Sequence, residues 1–61
     1  MIADYELLGR HAARALNAGD KASAESYRAQ WRAAQGQEPA DDRLQATVAY
    51  HRGYAAARVR T

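Results

Sequence analysis

Apolar residues recur at the three- and four-residue spacing of helices in three blocks, separated by two clusters of turn-forming residues. In the first block, residues 2–17, one arc of a helical wheel carries Ile2, Tyr5, Leu8, Ala12, Ala13 and Leu16 together with Gly9. Asp4, Glu6, Arg10, His11 and Arg14 take the other side, acids first and arginines later, as the helix dipole favours. Leu7 falls among these polar positions and is a candidate contact point for a partner. Asn17-Ala18-Gly19-Asp20 reads as a tight turn: Gly19 can close one helix in the left-handed conformation, and Asp20 can cap the next. So short a turn makes the first two helices antiparallel neighbours.

The second block, residues 21–35, buries Ala24, Tyr27, Trp31 and Ala34. It turns Lys21, Glu25, Arg28 and Arg32 to water, with Glu25 and Arg28 placed for an ion pair. Gly36 suits the position after its last turn, and Pro39 the first position of a third helix over 39–60. That helix would be about 33 Å long, against about 24 Å for each neighbour. Its main apolar face is Ala40, Leu44, Thr47, Val48, His51, Tyr54, Ala55 and Val59. Ala46, Ala49, Tyr50 and Ala57 form a second strip. Gly53, a poor helix former within this helix, predicts a point where another backbone comes close.

The predicted fold is all-α, a single domain over 1–61: a short antiparallel hairpin packed on a longer C-terminal helix. The expected core is Ile2, Tyr5, Leu8, Leu16, Tyr27, Trp31, Leu44, Val48 and His51.

Composition thins that core. Of the 29 apolar residues 16 are alanine, which favours helix but buries little area. A chain this short buries only about 60% of its unfolded surface, and it has no cysteine for a disulfide staple. A second copy of the chain is therefore an expected partner, with Ala46, Ala49, Gly53 and Ala57 as the dimer or packing strip. The absence of cysteine suits a reducing compartment. No apolar run reaches the length of a membrane span, and no basic-then-apolar leader opens the sequence. A complete cytoplasmic protein is the expectation.

Charge is uneven. Residues 1–42 sum to −2, whereas 43–61 carry Arg43, Arg52, Arg58 and Arg60 with no acid. An acidic partner is expected at that end, protein or nucleic acid. Spaced around the helix, the four arginines form no stripe that would follow one phosphate backbone. His11 and His51, without cysteine or a His-Glu-x-x-His pattern, make no metal site, and no cofactor is expected. Nothing resembles a nucleophile-base pair or a phosphate-cradling glycine loop, so the chain is not expected to be an enzyme.

Residues 49–58, Ala-Tyr-His-Arg-Gly-Tyr-Ala-Ala-Ala-Arg, are similar to the Arg-Gly-Tyr segment of ribosome modulation factor. More broadly, the alanine- and arginine-rich chain with its Gly-Tyr-x-x-Ala-Arg ending resembles small accessory proteins of bacteriophages from GC-rich hosts. That resemblance implies a protein that binds and inhibits a larger host protein, such as a regulator or defence effector, in the host cytoplasm if phage-encoded. Tyr50, Arg52, Tyr54, Arg58, Arg60 and Leu7 are the candidate contacts. RNA or DNA binding through the basic C-terminal helix is the alternative.

Overall fold

Two aspartates start the first two helices in the same way. In the computed structural model, which describes residues 4–59, Asp4 Oδ1 accepts the Leu7 backbone N–H (3.0 Å) and Asp20 Oδ1 that of Ser23 (3.1 Å). Each bond satisfies one of the amides that a helix N-terminus leaves without a partner. The helices are α1 (Tyr5–Asn17), α2 (Lys21–Gly36) and α3 (Ala40–Ala57), with no strand among the described residues. Because Asp4 caps α1, that helix begins at Tyr5 rather than at residue 2.

The α1–α2 turn is as expected. Gly19 N–H bonds to the Leu16 carbonyl (3.0 Å) and Asp20 N–H to that of Ala15 (2.8 Å), with Gly19 at φ 79°. This paired closure needs a left-handed residue, hence glycine. The next boundary differs from expectation. Gly36 lies inside the last turn of α2, Gln37 is the C-cap at φ −91°, and no left-handed residue is used. Pro39 precedes α3 as its N-cap, and its carbonyl accepts the N–H groups of Asp42 and Arg43.

The fold is all-α, a hairpin (α1 and α2) with a third helix against it. The middle element, however, is α1. It packs closely on both other helices, most closely on α3, while α2 and α3 touch each other only sparsely. Helices α1 and α3 run in the same sense. At their starts the Tyr5 hydroxyl donates to Glu38 Oε1 (2.9 Å), and at their ends Asn17 Nδ2 donates to the Ala57 carbonyl (2.8 Å).

Two glycines set the α1–α3 distance. A Cβ placed on Gly9 would sit 2.0 Å from the Tyr50 carbonyl oxygen, and one on Gly53 2.0 Å from that of Glu6. The backbones are thus in direct contact, and Gly53 marks the close approach that its position within the helix predicted.

This crossing overturns the expected orientation of α3. The strip with small residues turns inward: Ala46, Tyr50 and Gly53 are buried, with Ala49 and Ala57 partly so. The face expected in the core turns out, leaving Leu44 68% and Val48 45% exposed and His51 exposed as well. Backbones cannot meet with Leu44 or Val48 between them. The inner strip also brings in Tyr50, a larger apolar body than valine. The core is Tyr5, Ala12, Trp31, Ala46 and Tyr50, with Leu8, Tyr27, Ala34, Ala49 and Tyr54 packed on it. Leu16 is half-buried; Ile2 lies outside the described residues.

The third helix is the longest of the three, as expected, but it ends at Ala57 rather than at residue 60. It stops at Ala57 because Asn17 takes over the end of its hydrogen-bond ladder. Asn17 Oδ1 accepts from Val59 N–H (3.0 Å) and from the Arg58 guanidinium, and Arg58 is extended at ψ 121°. At 18 residues, α3 exceeds the 13 of α1 and the 16 of α2.

Candidate binding groove

Because α2 and α3 each pack on α1 and hardly on one another, a groove opens between them. Gln35 braces one part of it: its Nε2 donates to the Arg43 carbonyl (3.1 Å) and to Thr47 Oγ1. Trp31 of α2 stacks on Tyr50 of α3 at 4.3 Å between ring centres, inclined by 16°. His51 stands edge-on to both rings, 5.8 Å from Trp31 and 5.6 Å from Tyr50. Offset and edge-to-face pairs of this kind add about 0.5–1.5 kcal/mol beyond area burial.

The groove encloses about 500 Å³. Ala12, Leu16 and Ala24 supply small apolar surface, and Trp31, Tyr50 and Tyr54 aromatic walls. Lys21, Arg28 and Arg32 of α2 bring three cations to it against one acid, Glu25. Lys21 and Arg32 lie 11 residues apart, so the charged edge extends about 16 Å along the helix. Burial pushes the Tyr50 phenol above its ordinary pKa; Arg28 opposes that shift and Tyr54 adds to it. Tyr50 is therefore a neutral phenol at physiological pH. Trp31 Nε1 is buried without a hydrogen-bond partner among the described residues, a deficit that typically costs about 1–3 kcal/mol.

A second depression, about 390 Å³, is acidic. Asp4, Glu6, Glu38 and Asp42 line it with Tyr5, Gln45, Ala46 and Ala49. Burial raises the Tyr5 phenol, and so do its hydrogen bond to Glu38 and the negative charges of Glu38 and Asp42. The two depressions thus carry opposite charge.

The expected contact residues scatter over this framework. Tyr50 and Tyr54 line the groove, but Tyr50 is only 5% exposed and belongs to the core. Arg52 is exposed and lies outside the groove lining; Arg58 is exposed and donates to Asn17. Leu7 is 43% exposed on α1, away from the groove, and Arg60 lies outside the described residues. Of the dimer or packing strip, Ala46 and Gly53 are buried against the chain's own α1, with Ala49 and Ala57 partly buried beside them, so it packs within the chain. The expected Glu25–Arg28 ion pair does not form. Among the described residues the ion pair is Arg10–Glu6, 3.1 Å apart on the surface.

Lys21, Arg28, Arg32 and Trp31 did not stand out as site residues in the sequence. The first three read as a wet face, and helical phase cannot distinguish a groove edge from open solvent. Among the described residues, no cluster of three or more metal-ligating side chains occurs, and no helix is long and apolar enough to cross a membrane. No protein-family model, curated protein or solved structure matches the chain.

Proposed function

We propose that this protein is a small, non-enzymatic, cytoplasmic binding module that works as a pair of copies and holds an acidic segment of a larger protein in the α2–α3 groove. The observation that carries this reading is the combination of aromatic walls, a small apolar lining and three cations in one open groove. An amphipathic helix or extended peptide could bury apolar side chains there and present carboxylates to Arg28 and Arg32. Occupying that segment would block whatever else the target binds. The resemblance to phage accessory proteins points the same way, toward inhibition of a host regulator or defence effector.

Capture from a lysate of the source organism tests the groove. Proteins retained by the wild type should be lost with Arg28→Glu/Arg32→Glu and kept with Leu7→Ala, which changes an exposed residue outside the groove. An identical set captured by the double charge reversal would rule out the groove as the docking site.

A single-stranded nucleic acid is the second reading, favoured by cations beside aromatic faces on which bases stack. Glu25 among those cations weighs against a phosphate backbone. If three cations neutralise phosphates, affinity should fall with a log–log salt slope of about −2. No binding to mixed single strands at low salt would end this reading.

A further inference from the structure

The outward face of α3 carries Leu44, Val48, His51 and Ala55, a four-three-four spacing that makes a straight seam along one side of a helix. All four are exposed, Leu44 at 68% and Val48 at 45%. The seam faces away from the α1 contact, and only His51 also borders the groove. Asp41 and Arg52 flank it. At about 100° per residue they fall about 20° apart around the helix, on the same edge of the seam. Both are exposed, and neither joins an ion pair among the described residues. Separated by about 16 Å along one helix, they cannot pair with each other within the chain.

Two-fold symmetry brings them together. When two copies of a helix pair antiparallel, the same edge of each faces the other. Setting Leu44 opposite the second copy's Val48 centres the axis at residue 46. Asp41 then lies within one residue of the second copy's Arg52, and the contact occurs twice. A parallel pair would instead put the two copies of that edge on opposite sides of the interface, leaving Asp41 and Arg52 without partners of opposite charge. We infer that α3 pairs antiparallel with α3 of a second copy, Leu44 packing on Val48 and Asp41 on Arg52 across the two-fold axis. This rests on the reading that the protein works as a pair of copies, and it names the surface and register. One helix face from each copy is small beside the about 1,600 Å² of a standard interface, so association over the micromolar range is expected.

Sedimentation of the full chain across that range tests it, with circular dichroism to verify the fold of each variant. The wild type should pass from monomer to dimer, and Leu44→Glu should remain monomeric with unchanged helicity. Asp41→Arg and Arg52→Asp should each weaken the dimer about tenfold or more by placing like charges together. The double variant Asp41→Arg/Arg52→Asp should restore it, as should mixing the two single variants. A wild type that is monomeric throughout overturns both the pairing and this interface. A dimer indifferent to Leu44→Glu, or a double variant no better than the singles, overturns the interface and leaves the pairing standing.

Discussion

Three glycine environments should respond differently to the same added methyl group. At Gly9 and Gly53 the new carbon would meet backbone oxygen at 2.0 Å, and no side-chain rotation can relieve that. Alanine at either position should separate α1 from α3 and cost more than the about 1–3 kcal/mol of ordinary overpacking. Gly19→Ala meets open space but a φ of 79°, so the cost is conformational, about 1 kcal/mol. Gly36 is helical with nothing within 4 Å, so alanine there should stabilise by about 0.5–1 kcal/mol. Urea titrations of the variants would check this order. If Gly36→Ala were the most damaging, the packing described for α1 and α3 would be wrong.

Also at this scale, Asp20 should make stability sensitive to acid. Its hydrogen bonds with Ser23, from the side chain first and the backbone second, hold its carboxyl below the ordinary aspartate range. A depressed folded-state pKa stabilises the protein above the unfolded-state value, and that contribution is lost as pH falls through the folded one. Asparagine caps helices comparably but does not titrate. Asp20→Asn should therefore flatten the acid limb of a melting-temperature profile and leave neutral pH nearly unchanged.

At the scale of the helices, one side chain fixes where α3 stops. Asn17 serves the Ala57 carbonyl, the Val59 amide and the Arg58 guanidinium at once. Asn17→Ala should cost about 1–2 kcal/mol, mostly at that end. Amide exchange should rise around residues 57–59 while the amides of α2 stay protected. Uniform acceleration across all three helices would show that Asn17 supports the whole fold instead. The sequence offered no stop signal before residue 60, because the terminator lies 40 residues away on another helix. The start of α2 was legible through Asp20, which acts within three residues of itself, whereas Asp4, an equally local cap, was read as a polar position inside α1.

For the molecule as a whole, the dimensions of 36 × 20 × 15 Å leave a thin interior. Trp31 and Tyr50 supply much of its volume. A domain of 61 residues has about 3–9 kcal/mol of stability, and Trp→Ala in a core removes about 3–5. Trp31→Ala should therefore remove a large share of the stability and lower the thermal midpoint sharply, read by helical circular dichroism. Trp31→Phe keeps a ring against Tyr50, removes the unpartnered Nε1–H and should fold. As the chain's one tryptophan, Trp31 also reports the stack by its own fluorescence, and an added acidic peptide that enters the groove should perturb it.

Local chemistry in the sequence determined that the chain forms three helices, where the first turn lies, how two of the helices are capped and which faces of α1 and α2 are apolar. Each of these rests on residues within a few positions of one another. The face that α3 turns inward is a different kind of fact. Counting apolar positions favoured Leu44 and Val48, yet two glycines 44 residues apart, Gly9 and Gly53, allow a backbone approach that those side chains would block. The groove is likewise tertiary: Lys21, Arg28 and Arg32 join Tyr50 and Tyr54 only because α2 and α3 share α1 as a support and leave space between them. Periodicity ranks the faces of a single helix, whereas the closeness of two backbones depends on both surfaces together.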